Sequence, residues 1–238
     1  MVLADDLTGA NDTGVQFAKQ GLRTLVLLCA PGSPSELDED VLVVDTQSRA
    51  MSPTEAYQKV TETALLFKNR DSFQTLYKKI DSTLRGNLGT EIDAIMDVCG
   101  LELAIVAPAF PRNGRTTVGG CHFLGGAPLE ATEIARDPLC PVTESHIPTL
   151  IAKQTKRSVG HVGIKSVLAG SDGILEAMRQ LDAAGHKILV CDAWQEEHLK
   201  MIALAAARLE RPVLWVGSAG LAEYVPLALG LGAASAEK

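Results

Sequence analysis

The apolar residues of this chain gather in short, nearly continuous runs, which alternate with segments where they recur every three or four positions. Short apolar runs are typical of buried strands, and the wider spacing is typical of amphipathic helices. The predicted strands cover residues 24–29, 41–44, 73–80, 103–107, 158–162, 188–191 and 212–216. Strands that alternate with helices predict an α/β fold, here a three-layer α/β/α arrangement around a mostly parallel sheet with right-handed crossovers.

Local signals mark several helix starts. Ser52-Pro-Thr-Glu55 has the pattern of a capping box with proline at the first helical position. The helix that follows is predicted to run to about residue 67, with an inward face of Ala56, Val60, Thr63, Ala64 and Phe67. Asn87 and Ser171 are the predicted N-caps of two later helices, and the first helix of the chain is predicted over residues 11–20.

The middle of the chain departs from this alternation. Residues 108–130 are rich in glycine and proline, and Gly119-Gly120 separates two short β-type runs. This pattern predicts a β-hairpin inserted in the α/β fold at about residues 115–124. Three interpretations stay open for it: a wall of a pocket, a dimer contact, or a plain surface excursion.

Composition narrows the function classes. The 238 residues are 46% hydrophobic and carry a net charge of −7, which favours a globular protein and argues against broad binding to nucleic acids or membrane surfaces. No run of about 18 apolar residues is present, so no membrane span is predicted. Five cysteines without metal-like spacing predict reduced thiols and a cytoplasmic location. Cys29, Cys99 and Cys191 are predicted to be core residues, and the scattered histidines indicate no metal site.

Two adjacent carboxylates, Asp5 and Asp6, follow the first apolar residues of the chain. Successive side chains of an extended strand point to opposite faces, so we expect only one of them, Asp6, to reach a pocket. A carboxylate in that place can accept hydrogen bonds from ligand hydroxyls or act as a general base. The alternative is helix capping, for which Thr8, Asn11 and Asp12 are the candidates.

Polar residues also follow two other predicted strands. Lys79, Asp81 and Ser82 come at the end of one strand, and Arg49 follows another. The carboxyl ends of parallel strands lie along one edge of a sheet, so these side chains are expected to converge with Asp6. Lysine offers a point charge and arginine a planar fork for a carboxylate, whereas serine adds a neutral donor. The set predicts a site for a ligand with both a carboxylate and hydroxyls; an ordinary solvated turn is the alternative.

Other motifs are weaker. Arg112 and Arg115 could close over an anion or form a plain basic loop, and residues 217–220 could hold an anion at a helix start. Neither the Gly-x-x-x-x-Gly-Lys-Ser/Thr phosphate loop nor a well-placed Gly-x-Gly-x-x-Gly occurs. The glycine-rich run after Asp6 has no place in receiver domains, and Asp6-Leu-Thr8 lacks the second carboxylate of haloacid-dehalogenase-type phosphatases.

Three longer motifs resemble one family. Residues 4–14 read Ala-Asp-Asp-Leu-Thr-Gly-Ala-Asn-Asp-Thr-Gly, residues 78–86 read Lys-Lys-Ile-Asp-Ser-Thr-Leu-Arg-Gly, and residues 114–120 read Gly-Arg-Thr-Thr-Val-Gly-Gly. Together they closely resemble the four-carbon acid sugar kinase family, whose members include kinases of threonate, erythronate and 3-oxo-tetronate. The resemblance covers nearly the whole chain, including residues 217–221.

The resemblance implies transfer of the γ-phosphoryl group of ATP, with magnesium, to a hydroxyl of a four-carbon sugar acid. It implies substrate contacts at Asp6, at Arg49 and along the segment Lys79, Ile80, Asp81 and Ser82. Our hypothesis for their roles is that Arg49 and Lys79 grip the carboxylate, while Asp6, Asp81 and Ser82 fix the hydroxyls. Asp6 is the candidate catalytic carboxylate, in the sense of an orienting group, because phosphoryl transfer is mostly positioning and charge stabilisation.

The same resemblance implies a domain organisation. Residues 1–228 are expected to form the N-terminal, sugar-acid-binding domain of a two-domain kinase, and residues 229–238 a linker or tail. The C-terminal nucleotide-binding domain is expected to be absent from this chain, so little phosphorylation and no tightly bound cofactor are expected. The alternative is a stand-alone, non-catalytic module that binds a sugar acid. A homodimer is a possible assembly.

Overall fold

The computed structural model describes residues 1–28, 38–68 and 74–232. Its main sheet has eight strands in the order β2-β3-β1-β4-β11-β5-β10-β9, and every neighbouring pair is parallel. The strands of this sheet are β1 Val2–Ala4, β2 Thr24–Leu27, β3 Val41–Asp45, β4 Leu76–Lys79, β5 Ala104–Ala107, β9 Val159–Val162, β10 Ile188–Cys191 and β11 Leu214–Gly217.

Helices cover both faces of this sheet. Their bounds are α1 Leu7–Lys19, α2 Pro53–Lys68, α3 Leu88–Cys99, α4 Ile147–Ala152, α5 Ile164–Leu168, α6 Gly170–Ala183, α7 Glu196–Ala206, α8 Ala219–Ala222 and α9 Val225–Ala228. One core joins the sheet to α1 and to the helices from α5 onward, and a second core joins the opposite face to α2, α3 and α4. The predicted three-layer α/β/α fold is therefore confirmed.

Alternation along the strands divides side chains between the two cores. Val2, Ala4 and Tyr77 pack in the first core, whereas Leu3 and Ile80 pack in the second. Because a central parallel sheet is buried on both faces, its strands read as continuous apolar runs rather than alternating ones.

The inserted hairpin is also confirmed. It is formed by β6 Arg115–Val118 and β7 Cys121–Leu124, and a short third strand, β8 Ala127–Pro128, pairs with β7. Gly119 and Gly120 connect β6 to β7 with φ angles of 62° and 76°. Positive φ at both central residues suits the right-handed twist of a two-residue hairpin turn, and glycine adopts it without a steric penalty.

Asp192 fixes this hairpin to the main sheet. Its carboxylate, buried directly after β10, accepts hydrogen bonds from the backbone N–H groups of Gly119 at 2.9 Å and Gly120 at 2.8 Å. Thr117 and Ala193 exchange two backbone hydrogen bonds beside it. The hairpin is thus held as a rigid part of the domain.

Several local predictions can now be compared with the structure. The capping box of α2 is confirmed, because the Ser52 N–H donates to the Glu55 carboxylate at 3.0 Å and the Glu55 N–H donates to the Ser52 hydroxyl at 3.4 Å. The predicted inward face of α2 is confirmed in full: the buried residues of this helix are Ala56, Val60, Thr63, Ala64 and Phe67. The N-cap predicted at Ser171 is wrong, because α6 begins at Gly170 after Ala169.

Asn87 occupies the predicted N-cap position of α3, but its side chain makes no capping bond. Its amide donates instead to the carbonyls of Ser48 and Met51, in the loop after β3. Cys191 is buried as predicted, Cys99 is half-buried, and Cys29 lies outside the described residues. Over residues 1–28, 38–68 and 74–232, no helix has the length and hydrophobicity needed to cross a bilayer.

Candidate functional site

Three neighbouring strands end at one place on the carboxyl edge of the sheet. β1 lies between β3 and β4, with Ala4 paired to Asp45 on one side and to Lys79 on the other. The chain leaves these strands through Asp5 and Asp6, through the loop to Arg49, and through residues 80–83. The convergence expected from the order of the elements is therefore present.

Both acidic residues after β1 contact the guanidinium of Arg49. Asp5 accepts hydrogen bonds from its Nε at 2.8 Å and its Nη2 at 3.0 Å, and Asp6 lies 2.7 Å from its Nη1. Asp6 lines the cavity described below and Asp5 does not, so the expectation that only Asp6 reaches the pocket agrees with the structure, although both carboxylates contact Arg49. Asp5 is buried and Asp6 is partly exposed.

Asp6 is also the N-cap of α1. Its carboxylate accepts a hydrogen bond from the Gly9 N–H at 2.8 Å, and its backbone is extended. For this reason α1 begins at Leu7, four residues before the predicted start at Asn11. Capping and ligand binding were alternatives for different residues in the sequence; in the structure one carboxylate caps the helix and also lines the site.

A second ion-pair group lies beside the first. Asp81 accepts hydrogen bonds from Arg85 Nε at 2.7 Å and Nη2 at 3.3 Å, and Asp137 accepts one from Arg85 Nη1 at 3.1 Å. Burial alone would raise the pKa of Asp81, but hydrogen bonds from Arg85 and the charge of Arg49 lower this pKa far below its usual value. Asp81 is therefore a fixed negative charge at any ordinary pH.

The adjacent lysines of β4 go to opposite faces. Lys78 forms a buried ion pair with Glu91 of α3, whereas Lys79 points to the cavity beside α1 and donates a hydrogen bond to the Ile80 carbonyl at 2.7 Å. Burial lowers the pKa of Lys79, and the negative charges of Asp5 and Asp81 oppose this change.

Of these groups, Asp6, Arg49, Lys79, Asp81 and Arg85 line a cavity of about 410 Å³, within the usual range of roughly 300–1,000 Å³ for small-molecule sites. Its charged lining is balanced, with four acidic and four basic side chains: Asp6, Asp12, Asp81, Glu133, Arg49, Lys79, Arg85 and Arg115. Such an arrangement can accept hydrogen bonds from hydroxyls and donate hydrogen bonds to an acid within a single site.

Strained backbone occurs on both sides of the site. Within the described residues, Gln47 at φ 54° and Leu84 at φ 63° are the only non-glycine residues with positive φ. Gln47 stands two residues before Arg49, and Leu84 stands directly before Arg85. Left-handed backbone at a side-chain-bearing residue costs free energy and persists where its surroundings fix it, often at ligand sites.

The inserted hairpin forms one wall of this cavity through Arg115 and Leu124. His122 joins it to the loop after β4: its Nε2–H donates to the Ser82 carbonyl at 2.9 Å, and its Nδ1 accepts from the Thr117 hydroxyl at 2.9 Å. Burial lowers the pKa of His122 to about 4. Of the three interpretations of the hairpin, the structure supports the pocket wall.

Five of the six residues predicted to bind substrate line the cavity: Asp6, Arg49, Lys79, Asp81 and Ser82. The sixth, Ile80, packs its side chain in the core on the other face of the sheet, and only its backbone reaches the site, through the carbonyl bonded to Lys79. Asp5, Asp137 and His122 had not been predicted to take part. Asp5 was set aside by the alternation argument, and no local signal distinguishes Asp137 or His122.

Residues 217–220 were the weaker candidate for an anion site at a helix start. Ser218, before α8, is buried; its hydroxyl donates to the Ala109 carbonyl at 2.9 Å and accepts from the Gly220 N–H at 3.1 Å, so its bonds stay within the fold. Across the described part of the chain, no group of three or more His, Cys, Asp or Glu residues is arranged to hold a metal ion.

A comparison with family models identifies the family of this chain. Residues 1–225 match the model of the sugar-binding N-terminal domain. The chain belongs to this family. The site described above thus lies within a sugar-binding N-terminal domain, and the predicted resemblance to four-carbon acid sugar kinases is confirmed by the relatives of this domain.

The chain is 45% identical over 210 residues to D-erythronate kinase from Heliobacterium modesticaldum, a match that covers 87% of this chain and 47% of that protein. It is 42% identical over 229 residues to D-threonate kinase from Salmonella typhimurium, covering 96% and 53%. A 3-oxo-tetronate kinase from Brucella melitensis is 31% identical over 93% of the chain and 51% of that protein. This sugar-binding domain therefore spans about half the length of the curated relatives it matches.

Solved structures resemble it over the same extent. A Haemophilus influenzae protein superposes with a TM-score of 0.88 at 28% identity, covering 97% of this chain and 57% of that chain. A Bordetella bronchiseptica protein, described as a domain-swapped dimer with bound citrate, superposes with a TM-score of 0.78 at 36% identity, covering 95% and 54%.

Proposed function

We propose that this domain binds the four-carbon sugar acid in an ATP-dependent kinase of the threonate, erythronate or 3-oxo-tetronate type. One observation carries the proposal: three adjacent strand ends bring paired carboxylates and cations into one cavity of small-molecule size. The names of the relatives favour this substrate class, because they are kinases of D-erythronate, D-threonate and 3-oxo-tetronate. The citrate bound in the Bordetella relative, itself a hydroxylated carboxylate, is consistent with it.

The proposed roles follow from what each side chain has available. Asp6 and Asp81 accept hydrogen bonds from substrate hydroxyls, and Ser82, which is partly exposed, donates or accepts one more. Lys79 supplies a positive charge in the cavity beside Asp6. Arg49 already donates to Asp5 and Asp6, so its main role is to orient the carboxylate of Asp6. Arg49 also lines the cavity and contacts the substrate there.

Asp6 is the proposed catalytic carboxylate. It belongs to the first motif, residues 4–14, and is partly exposed. The Gly9 N–H and the Arg49 guanidinium hold its carboxylate from two sides. A fixed carboxylate of this kind can orient a hydroxyl for attack and accept its proton, and in phosphoryl transfer such positioning supplies most of the protein's contribution.

The described residues of this domain do not offer a fitting site for ATP and magnesium. The sequence has no phosphate-binding glycine loop, and the segment before α8 is packed in the core. We therefore propose that residues 1–228 are the substrate domain, that residues 229–238 are a linker or tail, and that nucleotide binding belongs to a separate C-terminal domain. On this proposal the chain alone binds the acid and transfers little phosphate.

Titration calorimetry with D-threonate and D-erythronate tests the proposal. Wild type is expected to bind at least one acid, and Asp6→Asn is expected to weaken binding about tenfold or more, the effect of losing a charged hydrogen-bond partner. Asp172→Asn, on the exposed surface of α6, is the matched control and should bind normally. Absence of binding to these acids and to 3-oxo-tetronate would overturn the proposal, and ATP turnover by the chain alone would contradict the division of labour.

A further inference from the structure

The four cations of the cavity are not equally available to a ligand. Arg49 gives all three of its donor nitrogens to Asp5 and Asp6, and Arg85 gives all three to Asp81 and Asp137. Their charges are thus neutralised inside the protein. A substrate carboxylate that approached either guanidinium would also meet the aspartates that hold it.

Arg115 is different. Its side chain is partly exposed and lines the cavity, and no carboxylate of the described residues lies within 4 Å of its guanidinium. Its Nη1 donates to the carbonyl of Asn113 in its own loop, and its Nε is buried without a hydrogen-bond partner. The guanidinium thus keeps donor capacity that the described residues do not use, and its side chain faces the cavity where a ligand could bond to it.

The backbone places Arg115 firmly. Its N–H donates to the Phe110 carbonyl at 3.1 Å, and its own carbonyl accepts from the Phe110 N–H at 2.8 Å. The hairpin that begins with Arg115 is in turn bonded to Ser82 through His122 and to Asp192 through its turn. The guanidinium therefore stands on a wall fixed to the substrate loop after β4, rather than on a loose excursion.

We propose that Arg115 binds the carboxylate of the sugar acid and selects acids over uncharged polyols of the same length. The inference rests on the proposed function and assigns the anion-binding role to a residue outside the set Asp6, Arg49 and residues 79–82. Lys79, the other lining cation without a carboxylate within 4 Å, lies deeper beside Gly9 and Asp6 and supports the hydroxyl end. The planar, forked guanidinium suits a carboxylate, so the preference for acids over polyols depends on arginine and not on charge alone.

The neighbouring Arg112 provides a matched control. It belongs to the same loop but forms ion pairs with Glu196 and Glu223, away from the cavity. Arg112→Gln therefore removes a guanidinium of the same loop without changing the site. Arg115→Lys keeps the charge of Arg115 but removes the fork.

The test measures the affinity of the full chain for the better of D-threonate and D-erythronate, and for its neutral amide. Wild type and Arg112→Gln are expected to prefer the acid over the amide. Arg115→Gln should lose about 10- to 100-fold in affinity for the acid with little change for the amide. The affinity of Arg115→Lys for the acid should lie between those of wild type and Arg115→Gln. An unchanged preference in Arg115→Gln, with unaltered thermal stability, would overturn this inference alone. Failure of wild type to bind D-threonate, D-erythronate and 3-oxo-tetronate would instead overturn the proposed function.

Discussion

Asp5 and Arg49 form a closed pair beneath the site: the buried carboxylate accepts two hydrogen bonds from the guanidinium, at 2.8 and 3.0 Å. The two residues come from the ends of adjacent strands, and the Arg49 N–H also donates to the Asp5 carbonyl at 3.2 Å. Arg49 is thereby a structural residue as well as a site residue, because without it a buried aspartate would lack its counter-charge.

We therefore predict that Arg49→Ala lowers the free energy of unfolding by about 3–5 kcal/mol, the cost of leaving a buried charge unpaired. The double variant Asp5→Asn/Arg49→Ala should recover part of this loss. Urea denaturation measures both. Arg23→Ala, which breaks an exposed pair with Asp38 and Asp40, is the control and should cost far less than Arg49→Ala, because solvent screens exposed pairs. A loss in Arg49→Ala as small as that of Arg23→Ala would contradict the assignment.

Gly9 gives a way to disturb the site without disturbing the fold. A Cβ at this position would lie 2.7 Å from Asp6 Oδ1 and 2.7 Å from Lys79 Nζ, so both groups must move. The lysine end is flexible and alanine favours a helix, so Gly9→Ala should keep nearly wild-type stability while sugar-acid affinity falls about tenfold or more.

Gly14→Ala, in the same helix, is the matched control for Gly9→Ala. Its Cβ would meet a methyl group of Val26 at 3.1 Å, far from any charged group of the cavity. Calorimetry on both variants checks the prediction. Equal affinities in the two variants would mean that Asp6 and Lys79 do not hold the ligand.

His122 should give the domain a specific pH dependence. Its pKa is lowered to about 4 by burial, whereas an unfolded histidine titrates near 6.5. Between these values the unfolded chain binds more protons, so the stability contributed by neutral His122 is complete above about pH 6.5 and is lost as pH falls toward 4. The full loss is about 3 kcal/mol.

His122→Gln tests this pH dependence, because glutamine can still donate to the Ser82 carbonyl but does not titrate. The difference in unfolding free energy between wild type and this variant should shrink as pH falls from 7 to 4.5, since the other acid-labile groups are common to both. Urea titrations at several pH values measure it. A difference that stays constant over this range would exclude His122 as the titrating group.

Substitutions of the two lysines of β4 should have different effects, with Lys78 affecting stability and Lys79 affecting ligand binding. Lys78→Met leaves Glu91 buried without its partner and is expected to cost about 3–5 kcal/mol, while Lys78→Met/Glu91→Leu should return close to wild-type stability. The double variant should bind the sugar acid normally, because this pair lies on the face away from the cavity. Lys79→Met should instead weaken acid binding. Equal affinity of Lys79→Met and Lys78→Met/Glu91→Leu for the acid would contradict the assignment of the two lysines to opposite faces of the sheet.

The layer architecture could be predicted from the sequence because it depends on local periodicity. Apolar runs and helical spacing located the strands and helices, the Ser52–Glu55 capping box fixed the start of α2, and Gly119-Gly120 identified the hairpin turn. The approximate composition of the site was predictable for a similar reason. In a parallel sheet all carboxyl ends share one edge, so polar residues that follow strands must gather there.

Which residue contacts which was decided by the tertiary structure. Strand alternation predicted Asp6 for the pocket, but only the structure shows that Asp5 and Asp6 both contact Arg49 and that capping by Asp6 moves the start of α1. Strand alternation separates Lys78 from Lys79, yet only packing shows that Glu91 neutralises the former.

The sequence by itself determined the class of fold, the edge of the sheet that holds the site, and the mixture of acids and bases expected there. Only the tertiary structure decided which acidic and basic groups neutralise one another, because ion pairing depends on distances between segments far apart in the chain. Arg49 and Arg85 are neutralised by aspartates, His122 joins the hairpin to the loop after β4, and Arg115 lines the cavity without a carboxylate partner among the described residues.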